Sequence, residues 1–213
     1  MNSSSEFLNQ ILDVIENKIA PITSEYVKEG NMYFGGAIVK KDDLSLVCAD
    51  SNKMTEWLLL HGEVSCLRTY NALPAEGKPE AADCIMVSTH EPCALCLAAI
   101  TWSGFNKMYF LFRSGFNKMY FLFSYEDYKP VFDCTKILKE VFGSETGGYR
   151  RENSYWSSYH IAELVEALPE GEEKKALQSR VSALRVRYDG INKVFEDSAK
   201  AKGITFPRTA GED

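Results

Sequence analysis

The chain has no uninterrupted apolar run near the ~18 residues that a membrane-spanning helix needs, so no span is expected. Its opening stretch, MNSSSEFLNQILDVIEN, lacks a basic lead and carries Glu6 and Asp13 within its apolar part, the opposite of an export signal. A surplus of positive charge is missing too. The 24 Lys and Arg stand against 30 Asp and Glu, a formal net charge of −6. That balance argues against a protein that grips a phosphate backbone, because such binding needs excess Lys and Arg. Without an export signal, the six cysteines are expected as reduced thiols or metal ligands rather than bridges, in a cytoplasmic setting. What is present is 213 residues, 45% of them hydrophobic, enough for one globular domain with a sizeable core and an appendage.

Phe7, Leu8, Ile11, Leu12, Ile15 and Ile19 share one face at helical spacing. They predict a helix over 6–20, with Ser3 and Glu6 as a capping box and Pro21 as its stop. Short β signals follow at 34–39 and 44–49, then a helix at 61–73 and a buried strand at 84–88. A short helix at 93–102 sits behind Pro92, and a strand is read at 107–112. The order α-β-β-α-β-α-β predicts a layered α/β domain whose mixed sheet is covered by helices. Further helices are expected at 135–142, 154–168 and 170–199. The last carries Leu177, Val181, Leu184, Tyr188, Ile191 and Phe195 as an apolar stripe. That stripe needs a cover, either the domain itself or a second copy in a two-fold pairing.

Residues 103–112 and 114–123 both read SGFNKMYFLF. Only one copy can fill the strand beside 84–88. The other must either pair with it as a hairpin turning at Arg113-Ser114-Gly115, which hides backbone groups and apolar faces together, or loop out and expose Phe, Met, Tyr and Leu.

Two segments carry chemistry: His61-Gly62-Glu63 and Pro92-Cys93-Ala94-Leu95-Cys96. A neutral imidazole and two thiolates make three zinc ligands, and a catalytic zinc keeps its fourth position for water. Cys93 and Cys96, three apart at a helix start, share one face, and the exposed amides there favour thiolate. Glu63 is too close to His61 to be a convenient ligand of the same ion and is placed to shuttle a proton instead. A structural zinc knuckle would need a fourth ligand, yet His90, His160, Cys48, Cys66, Cys84 and Cys134 offer no pair at ligand spacing. A redox pair at Cys93 and Cys96 would leave His61 and Glu63 unexplained. Cys48, Cys66 and Cys84 read as small core residues, and His90 as a neighbour of the site rather than a ligand.

An H-x-E followed by P-C-x-x-C is the signature of zinc-dependent nucleobase deaminases. From about residue 7 to 123 the chain resembles the cytidine deaminase-like superfamily. Leu60-His61-Gly62-Glu63-Val64-Ser65 and Gly35-Gly36-Ala37-Ile38-Val39 are similar to fungal cytosine deaminase. Glu91-Pro92-Cys93 and the ITWSG of 100–104 are more similar to bacterial guanine deaminases and tRNA adenosine deaminases. The resemblance implies a three-layer α-β-α fold with a mixed central sheet and C-terminal helices. It implies a deaminase-type domain at 1–168, followed by a helix and loose tail at 169–213. It implies zinc on His61, Cys93 and Cys96, Glu63 as the catalytic proton carrier, and Asn52, Phe34 and Glu91 at the substrate. The expected activity is hydrolytic release of ammonia from a small aminated base or nucleoside by a homodimer, without nucleic acid or membrane. The alternatives are a tRNA-editing deaminase and a catalytically silent zinc-fold subunit. Arg150, Tyr155 and Trp156 either close the pocket or merely pack.

Overall fold

The structure is a computed structural model and describes residues 4–103, 118–129 and 131–204. Helix α1 (Ser5–Val14) begins one residue later than the capping-box reading, because Ser4 is the cap and its side chain accepts from the Phe7 amide. Pro21 does not end the helical run. A π-turn at Ile15–Ile19 leads into α2 (Ala20–Tyr26), and Pro21 sits in the first turn of α2, where a missing N–H breaks no helical bond. The run stops at Gly30, whose φ of 88° is open to glycine at little cost.

Strands β1 (Gly35–Lys40) and β2 (Leu46–Ser51) form an antiparallel pair. Helix α3 (Gly62–Ala72), strand β3 (Cys84–His90) and helix α4 (Ala94–Trp102) follow, each close to its predicted span. Strand β4 (Lys118–Phe123) comes from the downstream copy of the repeat. The strand read at 107–112 and the hairpin between the copies lie outside the described residues. Beyond β4 come α5 (Tyr125–Tyr128) and α6 (Cys134–Phe142).

The helix expected over 154–168 is corrected to strand β5 (Ser157–His160) followed by α7 (Ile161–Glu166). The edge of β4 offers unpaired backbone groups, and the aromatic- and serine-rich run Tyr155–Tyr159 is better suited to pair there than to coil. Helix α8 (Glu172–Ala201) closes the described chain.

The sheet order is β2-β1-β3-β4-β5. β1 is antiparallel to both of its neighbours, while β3, β4 and β5 run parallel. Alternate strand residues point to opposite faces. Ala37, Val39, Ile85, Val87, Tyr120 and Leu122 meet α1, α7 and α8. Ile38, Cys48, Cys84, Met86 and Met119 meet α3 and α4. Helices on both faces of a mixed sheet give the expected three-layer architecture. The stripe of α8 is buried within the chain, and Arg180 fixes α8 to α1 through Asn9 Oδ1 (2.7 Å) and Asp13 (2.6 Å). Among the described residues no helix is long and apolar enough to cross a membrane.

Candidate metal centre

His61 is the residue before α3, and Cys93 is the N-cap of α4, so the two helix starts converge at the carboxyl end of β3. Gly62 permits the approach. A Cβ there would lie 2.6 Å from Phe34 O and 2.7 Å from Gly35 Cα, so only glycine lets α3 lie this close to the start of β1. This gives His-Gly-Glu a steric reason: the middle residue carries no chemistry and makes room for its neighbours.

His61 Nδ1 lies 3.4 Å from Cys93 Sγ and 3.6 Å from Cys96 Sγ, and the two sulfurs are 3.7 Å apart. Donors placed tetrahedrally around zinc at its usual ~2.3 Å to sulfur and ~2.05 Å to nitrogen stand about 3.6–3.8 Å from one another. The three groups therefore fit zinc both in donor chemistry and in spacing. Among the described residues they form the one cluster of His, Cys, Asp or Glu atoms close enough to share an ion.

The electrostatics agree. The Cys93 thiol is held well below its ordinary value by its contact with Cys96 and by His61, against the opposing effect of burial. Burial pushes Cys96 up, and the neighbouring Cys93 and Glu63 push it further. For His61 burial works downward, yet the contact with Cys93 wins and the imidazole pKa is raised. Metal ligation would remove the proton this pair shares.

Glu63, on the first turn of α3, is buried with Oε2 3.2 Å from Cys96 Sγ. Burial raises its pKa, and the charge of Cys93 adds to the shift. Ser88 Oγ stands 3.0 Å from Glu63 Oε1 and 2.7 Å from His90 O, so one hydroxyl proton serves two acceptors. The sequence points to the backbone of 88–91 as a source of contacts at the site; the contact seen at Ser88 comes from its hydroxyl, on the same face of β3 as Cys84 and Met86.

The donors open into a small cavity of about 20 Å³, walled by Phe34, His90, Tyr128, Phe132 and Cys134. Phe34 thus reaches the site as expected, whereas His90 forms a wall, not merely a neighbour. Glu91 borders the cavity, but its carboxylate is engaged elsewhere, accepting from the Tyr125 amide (2.9 Å) and facing Arg151 (3.5 Å). It looks onto a separate, larger groove of about 410 Å³ that contains none of the zinc donors. Asn52 is buried and is not among the residues of the cavity wall. Its Oδ1 accepts from the Met32 and Met54 amides, and its Nδ2 has no partner among the described residues. Trp156 packs behind α4, donating to Thr101 Oγ1 (2.9 Å), and Tyr155 is exposed. Neither they nor Arg150 line the cavity. Cys48, Cys66 and Cys84 are core residues, as read.

With this geometry in view, residues 12–112, just under half of the chain, match the family of the cytidine and deoxycytidylate deaminase zinc-binding region. The matched stretch takes in His61, Glu63, Cys93 and Cys96. Cytosine deaminase of Candida albicans is 31% identical over 81 residues, which cover 38% of this chain and 52% of that protein. The chain thus matches about half the length of this curated relative. Among solved structures, guanine deaminase from Bacillus subtilis is 21% identical with a TM-score of 0.45, covering 78% of this chain and 91% of that one. Guanine deaminase from Nitrosomonas europaea is 16% identical with a TM-score of 0.44, covering 82% of each chain.

Proposed function

We propose that the chain is a zinc-dependent hydrolytic deaminase that releases ammonia from a small aminated nucleobase or nucleoside. The observation that carries this reading is a buried Glu63 carboxyl beside three donors spaced for zinc, with one coordination position left for water. When bound, zinc supplies a water acidified towards neutral pH. Glu63 moves protons: first to the ring nitrogen beside the amine-bearing carbon, which makes that carbon electrophilic, then to the departing amine. A carboxyl whose pKa is raised by burial suits both steps, since it must take a proton and give it back. Ser88 orients it, donating to the ionised carboxylate, or turning to His90 O and accepting from the protonated one.

Phe34 packs against the ring plane; the buried, unpartnered Nδ2 of Asn52 lies outside the cavity wall and would meet the substrate only once the site opens towards it. Glu91 serves by holding the wall at Tyr125. A net charge of −6 favours a small molecule over a nucleic acid. The presence and burial of Glu63 favour an active chain over a silent subunit. Two thiolate ligands need reducing surroundings, which supports a cytoplasmic location. The homodimer is supported by apolar surface close to the site, since Trp57, Leu58, Leu59, Leu95 and Trp102 are all exposed. The test is ammonia release by zinc-loaded protein from cytosine, cytidine, guanine, guanosine and a tRNA, with zinc measured in parallel. Release from a free base or nucleoside is expected. Release from the tRNA alone, or from nothing at full zinc occupancy, would overturn the reading.

A further inference from the structure

His90 ends β3 and is 95% buried, with 5% of its surface accessible. Its ring is clamped by aromatic neighbours. It stacks on Phe123 (4.7 Å between centroids) and meets the edges or faces of Phe34 (4.6 Å), Tyr33 (5.1 Å) and Tyr128 (5.4 Å). Such a clamp leaves the imidazole little freedom to rotate, so its two nitrogens hold fixed directions.

One of those directions is accounted for. Thr89 Oγ1 receives the Gly35 amide proton at 3.0 Å. Its own proton has two acceptors in reach, Gly35 O at 3.2 Å and His90 Nδ1 at 2.8 Å, and the nearer one is the imidazole. Burial holds the ring neutral, with its pKa pushed down to about 3. A neutral imidazole has a single N–H, so if Nδ1 accepts, Nε2 carries the proton. Nε2 has no hydrogen-bond partner among the described residues, and it is not one of the sealed, unpartnered polar atoms there. His90 lines the cavity together with His61, Glu63, Cys93 and Cys96.

We infer that His90 Nε2–H is a specificity-determining donor, which reads a carbonyl oxygen on the substrate ring and selects oxo-heterocycles over amines that lack the oxygen. This rests on the deaminase reading and narrows its substrate class to aminated rings that also carry a keto group. Phe34 fixes the plane of the ring, and His90 reads one polar atom in that plane. A ring without the oxygen leaves a buried N–H unsatisfied, which is the costly kind of mismatch.

The probes are two pairs in which loss of the oxygen also turns one ring N–H into an acceptor, cytosine against 4-aminopyrimidine and guanine against 2-aminopurine, and the change on His90→Phe isolates the share that His90 reads. Their dissociation constants are measured by calorimetry on zinc-loaded protein carrying Glu63→Gln, which separates binding from turnover. In at least one pair the oxo member is expected to bind at least ~10-fold tighter. Adding His90→Phe, which keeps an aromatic ring in the clamp, is expected to bring that ratio near one with zinc content unchanged. His90→Gln, which restores an N–H donor, is expected to recover part of it. No oxygen-dependent difference in the parent, or a ratio unmoved by His90→Phe, would overturn the assignment. So would failure of all four probes to bind. Should His90→Phe fail to hold zinc, His90→Met, which also lacks the donor, takes its place and is read by the same criteria. The ammonia assay on the parent stands apart. Oxygen-dependent binding without ammonia release would remove the deaminase reading and leave His90 as a ligand-reading group.

Discussion

On the face covered by α1, α7 and α8 the sheet presents Ala37, Val39, Ile85, Val87, Tyr120 and Leu122 to Leu8, Ile11, Leu12, Leu177 and Leu184. On the opposite face the same strands present Ile38, Cys48, Cys84, Met86 and Met119 to Cys66, Leu67, Leu97 and Ile100. The first face is bulky and hydrocarbon. The second is rich in sulfur and admits Ser88 and Glu63 into the buried layer. Large side chains on the first bury the area that stabilises the fold. Smaller, softer ones on the second let α3 and α4 come close enough for their N-terminal residues to converge. One sheet thus separates stability from chemistry by the parity of its residues. Substitutions on the two faces should then register on different instruments.

The sharpest break should come at Glu63. Glu63→Gln keeps the shape and removes the proton carrier, so turnover should fall by roughly 10²–10⁴-fold with zinc retained. Ammonia release and zinc content measured together decide it, and parent-like turnover would end the proposed role. On the other face, Leu177→Ala hollows the core between α8 and the sheet. It should cost about 2–5 kcal/mol in urea unfolding while zinc stoichiometry holds. Loss of zinc from the folded protein would show that the two faces are coupled.

His90 lies where the faces meet, and it gives a pH test. Its pKa is about 3 when folded and ~6.5 when unfolded. Below about pH 6.5 the unfolded chain takes up a proton that the folded one refuses until about pH 3. The contribution to stability is whole above that window and is lost as pH falls through it, by at most about 1.4 kcal/mol per pH unit. Urea unfolding of metal-free protein at pH 7, 5.5 and 4.5 should show the slope, and His90→Phe should flatten it. The smallest effect belongs to the repeat. Because β4 is supplied by Lys118–Phe123, deleting residues 103–113 leaves a connection of 114–117 between Trp102 and Lys118, a common length for a helix-to-strand loop. Zinc content should be unchanged, and shortening the loop should add about 1 kcal/mol, read as a slightly higher Tm. Loss of zinc binding would make the upstream copy part of the site.

Most of the first half was legible from the sequence because its signals are local. A helical apolar period, a glycine before a histidine, and two cysteines one turn apart each state their geometry within a few residues. The misreadings arose where distant partners decide. Pro21 looked like a stop because a π-turn five residues long leaves no trace in composition. Strand β5 depends on the free edge of β4, which no local window contains. His90 looked incidental because its surroundings come from distant segments: Thr89, Gly35, Tyr33 and Phe34 just before β1, Phe123 of β4, Tyr128 of α5 and Tyr188 of α8. Tyr128, Phe132 and Cys134 reach the zinc side only through the turn between α5 and α6. Glu91 lines the cavity while its carboxylate accepts from the Tyr125 amide, a contact 34 residues away that the motif beside it does not announce.

The cavity beside Glu63 has a kinetic consequence. Its roughly 20 Å³ is room for little more than one water molecule, far less than a purine or pyrimidine ring requires. On the deaminase reading a ring would meet the three donors only after that wall, Tyr128, Phe132 and Cys134, gives way, so opening would precede capture. The association rate becomes the diffusional rate scaled by the fraction of time the wall stands open, and the same wall holds the product until it opens again. Between such openings Glu63, 5% exposed, would keep its carboxyl apart from bulk water.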